Sequence, residues 1–212
     1  MTCRVLAYTP TWDDAMRHEC KASIESQKID GELMWVAGRV NPFPIGDHRN
    51  VLRQYMNARS LALEGGFDAL LTFEHDQQMP DASALERLIN TAGDVIYAPY
   101  VFRGGARKLN VLEYSDKVRL GSSLCGAPRT LLQAREAGAW RVSGVGFGCT
   151  LIRRHVLEAI AFRGDGLQWA PDIPFAEDAL YEGFISMAQF SVPVGHYDGQ
   201  RWLWPEWIEG KP

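Results

Sequence analysis

Cysteine is sparse and unpaired in this chain: Cys3, Cys20, Cys125 and Cys149 are scattered, with no CxxC among them. That argues against a zinc site and suggests no disulfide framework, so a reducing, cytoplasmic setting is the expectation. Cys3 and Cys149 sit in apolar or glycine-rich surroundings and read as buried thiols. A run of about 18 apolar residues is also missing, so no membrane-spanning segment is expected. The opening Met1-Thr2-Cys3-Arg4 leads straight into a strand-like run, without the look of a secretory leader. Positive charge is not in excess, with 22 Lys and Arg against 26 Asp and Glu and a net charge of -4. That balance removes the electrostatic push toward nucleic acid, while leaving room for a small basic patch that takes a diphosphate. No GxxxxGK[ST] is present, which excludes a P-loop. Gly144-Val145-Gly146-Phe147-Gly148 has the wrong glycine spacing for a dinucleotide fingerprint.

What is present is an ordinary globular composition. Of 212 residues, 46% are hydrophobic and 23% charged, enough apolar material for one buried core and too much for a disordered chain. No repeat, linker or low-complexity tract divides the sequence, so residues 1–212 read as a single domain. The first half alternates strand and helix. Val5–Tyr8 reads as a strand, a helix follows from Asp13 to about Gln27, and Leu33–Ala37 is a second strand. Arg49 to Glu64 is a helix stopped by Gly65-Gly66, and Ala69–Phe73 is a third strand, apolar enough for a sheet centre. A helix from Pro80 to about Asn90 and a strand over Val95–Tyr97 complete the half. This alternation predicts an α/β fold with a mixed, mostly parallel central sheet flanked by helices. The second half is less regular. Strands are expected over Val111–Tyr114, Trp140–Ser143 and Phe190–Val194, with a helix from Phe175 to about Met187.

Ligands of open α/β sheets bind beyond the carboxyl ends of the strands. Glu74-His75-Asp76 stands directly after the apolar strand Ala69–Phe73. In an extended segment Glu74 and Asp76 point the same way and His75 the other. Two adjacent carboxylates repel unless a cation lies between them. Oxygen ligands suit Mg2+ or Mn2+, with a bound diphosphate completing the shell. A solvated acidic turn before Pro80 is the plain alternative. Glu177 and Asp178 lie near the start of another expected helix, where acids are also favoured by the helix dipole alone. Arg53 and Asn57 lie four apart and share a helix face.

The order of these segments resembles the core of GT-A glycosyltransferases, especially family-2-like members. The resemblance rests on Asn57-Ala58-Arg59, on Gly66-Phe67-Asp68-Ala69-Leu70-Leu71-Thr72-Phe73-Glu74-His75-Asp76 and on Pro80, and runs from about Val5 to His196. It implies a single-domain, Rossmann-like nucleotide-diphospho-sugar transferase fold. About residues 1–100 would form the nucleotide-sugar half and about 101–212 the acceptor half. The implied activity is metal-dependent transfer of a sugar from a nucleotide-diphosphate sugar, with UDP as the default, to an acceptor hydroxyl. By the resemblance, Thr9 and Pro10 lie where the base rests, and Arg53 and Asn57 lie near the nucleotide. Glu74 and Asp76 hold the metal diphosphate. His196 joins them as a metal ligand, and Asp178, or failing it Glu177, is the catalytic base of an inverting reaction. The motif departs from the family at its first acid, which is glutamate here where the family carries aspartate. A retaining transferase of the same fold, or a non-catalytic sugar- or nucleotide-binding module, stands as the alternative. The acceptor is open among a glycan, a lipid-linked sugar, a protein and a modified nucleic acid base. Arg103-Gly104-Gly105-Ala106-Arg107-Lys108 reads either as a loop closing on the donor or as a solvated connection. Trp202, Trp204 and Trp207 read either as stacking faces for sugars or as packing that pins the tail.

Overall fold

The computed structural model describes residues 2–11, 16–39, 41–44, 47–103, 109–113, 138–144, 146–164 and 171–205. The first strand, β1 (Cys3–Pro10), buries Val5 to Pro10 and pairs in parallel with β2 (Gly31–Gly38) on one side and β3 (Ala69–Phe73) on the other. β3 is buried along its whole length and lies inside the sheet, as its mostly apolar run requires, with the one polar side chain, Thr72, donating to Phe147 C=O at 2.8 Å. The connecting helices are α1 (His18–Glu25) and α2 (His48–Glu64). Asp47 caps α2 by accepting a hydrogen bond from the Arg49 N–H at 2.9 Å. At the other end Gly66 takes the left-handed conformation (φ 67°) and Phe67 N–H reaches back to Ala62 C=O at 3.0 Å. This is a Schellman closure, which the Gly65-Gly66 pair permits.

Past β3 the architecture departs from simple alternation. Short strands β4 (Gln77–Gln78) and β5 (Val95–Tyr97) flank α3 (Ala84–Asn90), which starts later than the Pro80 onset. Pro80 and Asp81 belong to the turn before the helix, where Asp81 accepts hydrogen bonds from the N–H and hydroxyl of Ser83. Next come β6 (Leu112–Glu113), β7 (Ala139–Gly144), β8 (Cys149–Arg153), α4 (Arg154–Ala159) and α5 (Asp172–Tyr181). The chain then adds β9 (Ser186–Gln189), β10 (Gly195–Tyr197) and β11 (Trp202–Leu203).

The eight-stranded sheet has the order β2-β1-β3-β8-β5-β9-β7-β6. β2, β1, β3, β5, β9 and β6 run one way, and β8 and β7 run against them. The mixed, mostly parallel sheet is therefore present, with β8 driven antiparallel between β3 and β5. A second sheet, β11-β10-β4, sits beside it.

The helix expected to reach Met187 ends at Tyr181. Gly183 at φ 81° and the Phe184 N–H to Ala179 C=O bond of 2.9 Å close it by the same Schellman device. The strand that follows is Ser186–Gln189, while Phe190–Val194 forms a mostly buried turn instead of a strand. Pro193 has no N–H to give a ladder there. Trp204 is buried against Gly195 and Trp202 sets its ring edge-on to Tyr197 at 5.4 Å, so these two tryptophans pin the tail. Trp207 and residues 104–108 lie outside the described residues.

Candidate functional site

Pairing puts the chemistry in one place. Phe73, the last residue of β3, faces Cys149, the first of β8, and Glu74 N–H donates to Gly148 C=O at 2.8 Å. The acidic segment and the glycine-rich segment are thereby fused at one lip of the sheet. On the other side, β4 pairs with β10 so that Gln77 faces His196. Tyr197 N–H also donates to Asp76 C=O at 2.9 Å. A cleft of about 230 Å³ opens here, lined by Pro10 at the end of β1, Val51 and Tyr55 on α2, Glu74 and Asp76, and Asp172 at the start of α5, among others.

Glu74 and Asp76 do not point the same way, because the segment is a turn and not extended. Gln77 N–H donates to Glu74 C=O at 3.1 Å. Glu74 faces Tyr55, whose hydroxyl lies 3.5 Å from its Oε1. Burial, with Asp172 close by, raises the Glu74 carboxyl to about 7. Asp76 faces the opposite wall. It is 4% exposed, and neither of its oxygens takes part in a hydrogen bond. Its Oδ2 contacts the Arg103 guanidinium and lies 3.6 Å from His196 Nε2. His196 Nδ1–H donates to Val101 C=O at 2.8 Å, and Arg103 Nε–H donates to Nε2 at 3.0 Å. The ring is thus held neutral, with the Nε2 lone pair accepting from Arg103 and Asp76 Oδ2 lying 3.6 Å away. Burial pushes its pKa down to about 4.

Of the expected metal set, Asp76 and His196 come together, and Glu74 does not join them. Among the described residues no three His, Cys, Asp or Glu side chains form a metal-binding group. His75, expected to point away, lines this cleft and also a second one of about 290 Å³. Arg17, Asp76, Arg103, Tyr197 and Asp198 line that second cleft as well. Asp76 and Arg103 form the wall between the two.

The other expected site residues divide. Pro10 lines the first cleft. Thr9 is buried just behind it, accepting from Trp35 Nε1–H at 3.1 Å. Asn57 is half-buried with its amide 3.5 Å from the Tyr8 hydroxyl, and Arg53 is exposed on α2; neither lines a cleft described here. Asp178 is gripped from both oxygens by Arg163, at 2.8 Å each, and neither it nor Glu177 lines these clefts. The carboxylate that α5 delivers to the cleft is Asp172, six residues earlier. Sequence reasoning did not single out Asp172 as a site residue. It missed Tyr55, Tyr100 and Phe147 because lone aromatics carry no spacing signal. Phe147 meets Tyr55, Phe162 and Phe175 edge-on or tilted at 5.2–5.4 Å, which makes the cleft floor rigid.

No protein-family model and no curated protein matches this chain. Solved structures do. The chain is similar to A197 from STIV, with a TM-score of 0.58 and 19% identity, over 95% of this chain and 93% of that one. It is similar to the mannosyltransferase PcManGT from Pyrobaculum calidifontis in complex with GDP-Man and Mn2+ (TM-score 0.52, 14% identity, 92% of this chain and 56% of that one). It is also similar to S. aureus TarS (TM-score 0.51, 14% identity, 90% of this chain and 36% of that one). The fold is GT-A-like. Within that GT-A-like frame, the cleft occupies the carboxyl ends of β1 and β3, where open α/β sheets bind ligands. Among the described residues no helix is long and apolar enough to cross a membrane.

Proposed function

We propose that this chain transfers a sugar from a nucleoside-diphosphate sugar to an acceptor hydroxyl, with the donor in the cleft beside the Glu74–Gln77 turn. The observation that carries the reading is the convergence of Glu74, Asp76, Asp172 and Arg103 on one cleft of a GT-A-like fold. The GDP-Man and Mn2+ bound by one structural neighbour support it. Pro10 would meet the nucleoside from the first half of the chain, with Thr9 buried behind it as support. Arg103, Phe147 and Asp172 would face the sugar and acceptor from the second half. UDP is the donor nucleotide suggested by sequence resemblance and GDP the one suggested by that neighbour. Asn57 and Arg53 would need an extended ligand to reach.

A divalent metal fits the residues present. Asp76 would offer its buried carboxylate oxygens and His196 its Nε2, both of which Arg103 contacts in this structure. Two such ligands leave positions for diphosphate oxygens, the usual arrangement for Mg2+ and similar for Mn2+. Bound there, the metal would neutralise charge growing on the departing diphosphate. Glu74 would act separately, as a carboxyl near its titration midpoint that donates or accepts a hydrogen bond from the donor sugar. In an inverting reaction a carboxylate takes the acceptor proton. The sequence points to Asp178 for this step. Asp172 is the carboxylate of α5 already in the cleft, and Asp178 would first have to leave Arg163. A retaining outcome would show in the anomeric configuration of the product.

The test is thermal shift with a panel of nucleoside diphosphates and their sugars, with and without Mn2+, on wild type and Asp76→Asn. A ligand at about a hundred times its Kd stabilises by roughly 2.7 kcal/mol. A metal-dependent shift lost in Asp76→Asn is the expected result. No shift with any nucleotide in wild type sinks the reading and favours a non-catalytic module. Donor turnover by Asp172→Asn and Asp178→Asn then separates the bases: the base variant loses about 10²-fold or more in rate with donor binding kept.

A further inference from the structure

The Asp76 carboxylate is a buried anion, and the neutral His196 Nε2 lies 3.6 Å from its Oδ2. Two electron-rich groups so close in a shielded pocket require a cation between or beside them. The group that meets this need is Arg103. Its guanidinium contacts Asp76 Oδ2 while its Nε–H donates to His196 Nε2 at 3.0 Å. Arg103 therefore engages the same two atoms that a divalent metal would use. It is also poorly anchored. Its side chain is 52% exposed, against 6% for Asp76, so it can leave without unpacking a core. It lines both clefts and so has open space on either side.

We infer that Arg103 is a resident counter-ion for the Asp76–His196 cation seat, and that it makes metal binding conditional on an anionic ligand. With the guanidinium in place the carboxylate is already neutralised, and a divalent ion meets a like charge. A nucleoside diphosphate gives Arg103 a better partner, since guanidinium pairs bidentately with phosphate oxygens. Drawing Arg103 toward the diphosphate empties the seat for the metal, and the two ligands bind with positive coupling. By linkage, metal must favour nucleotide by the same factor that nucleotide favours metal. The inference deepens the donor-site reading above and rests on it for the identity of the anion, but the behaviour of Arg103 toward metal alone can be tested without any nucleotide.

The experiment is a Mn2+ titration followed by the electron paramagnetic resonance signal of the free ion. It uses full-length wild type, Arg103→Met and Arg103→Met/Asp76→Asn, each without nucleotide and with saturating UDP or GDP. The expected result is weak Mn2+ binding by wild type alone, tightened about tenfold or more by the nucleotide. Arg103→Met should bind Mn2+ about tenfold tighter than wild type with no nucleotide present, and nucleotide should tighten it by a smaller factor than it tightens wild type, because only ligation by the diphosphate then remains. The double variant should lose the tightened binding. Equal Mn2+ affinity in wild type and Arg103→Met without nucleotide overturns the inference. So does tightened binding that survives Asp76→Asn, because the seat would then lie elsewhere. Thermal shift with UDP and GDP on the same samples reports separately on the donor-site reading. If that shift is missing, the donor reading fails, while the nucleotide-free Mn2+ comparison still decides the role of Arg103.

Discussion

Replacing Glu74 by glutamine should stabilise the protein at neutral and alkaline pH and not at acid pH. Burial beside Asp172 raises this carboxyl from 4.5 to about 7, so the folded state prefers its protonated form. A group raised in this way contributes fully below its unfolded pKa, and the contribution fades as pH climbs through the folded value. At about 1.36 kcal/mol per unit, the loss between pH 4.5 and pH 8 is roughly 3 kcal/mol as an upper figure. Glu74 keeps contact with water in the open cleft, so about half of that, ~1.5 kcal/mol, is the expected gain for the variant at pH 8. At this chain length it amounts to a rise in Tm of about 3–6 °C. Glutamine retains an oxygen to accept from Tyr55, so the packing term is small. The assay is thermal unfolding of wild type and Glu74→Gln from pH 4.5 to 8. His196 titrates in an overlapping window with the opposite sign. Its pKa is lowered from 6.5 to about 4, so its contribution is present above about 6.5 and is lost as pH falls. Only the difference between variant and wild type isolates Glu74. A difference that does not grow with pH refutes the placement of Glu74 in a water-poor site next to Asp172.

Phe147→Ala should cost about 3–5 kcal/mol in chemical denaturation, because it removes the ring on which Tyr55, Phe162 and Phe175 converge. Gly148→Ala should cost about 1–3 kcal/mol, since a Cβ there would come within 2.8 Å of both the Gln77 amide and the Tyr100 ring. It should also weaken ligand binding by shifting the Glu74 N–H that donates to Gly148. Arg163→Ala should cost under about 1 kcal/mol of stability, as expected for a half-exposed ion pair. If Asp178 serves as base, that variant should not lose turnover, and a loss matching Asp178→Asn would mean that the pair itself is needed.

The first half of the fold was legible because each element announces itself locally. Val5–Tyr8, Ala69–Phe73 and the helix stopped at Gly65-Gly66 follow from apolar runs and glycine stops, and the structure places all three there. The antiparallel entry of β8 was not legible. Cys149–Arg153 is as apolar as a parallel central strand, and strand direction depends on how distant segments connect. The acidic segment follows β3 as expected, but it is a turn and not an extended segment, so alternation along a strand does not describe Glu74 and Asp76. Asp172 was not weighed as a site residue because it fell outside the helix expected from Phe175. Which turn of that helix meets the cleft depends on where the helix starts, three residues before Phe175.

The junction of β5 and β8 has a consequence for how such a protein can change over time. Tyr97 is paired with Thr150, and Ala98 N–H donates to Cys149 C=O at 2.9 Å, so the segment between β5 and β8 begins and ends at the same point. The described residues between them add β6 and β7 to the far edge of the same sheet, beyond β9, while the two ends of the segment stay stapled together at the lip of the cleft. Lengthening such a segment costs little in closure entropy, about 0.6 kcal/mol per doubling. Its sequence can therefore diverge while Glu74 and Gly148 keep their grip on each other. The fold thus holds the Glu74–Gly148 lip in place while the length of the segment between β5 and β8 is free to vary.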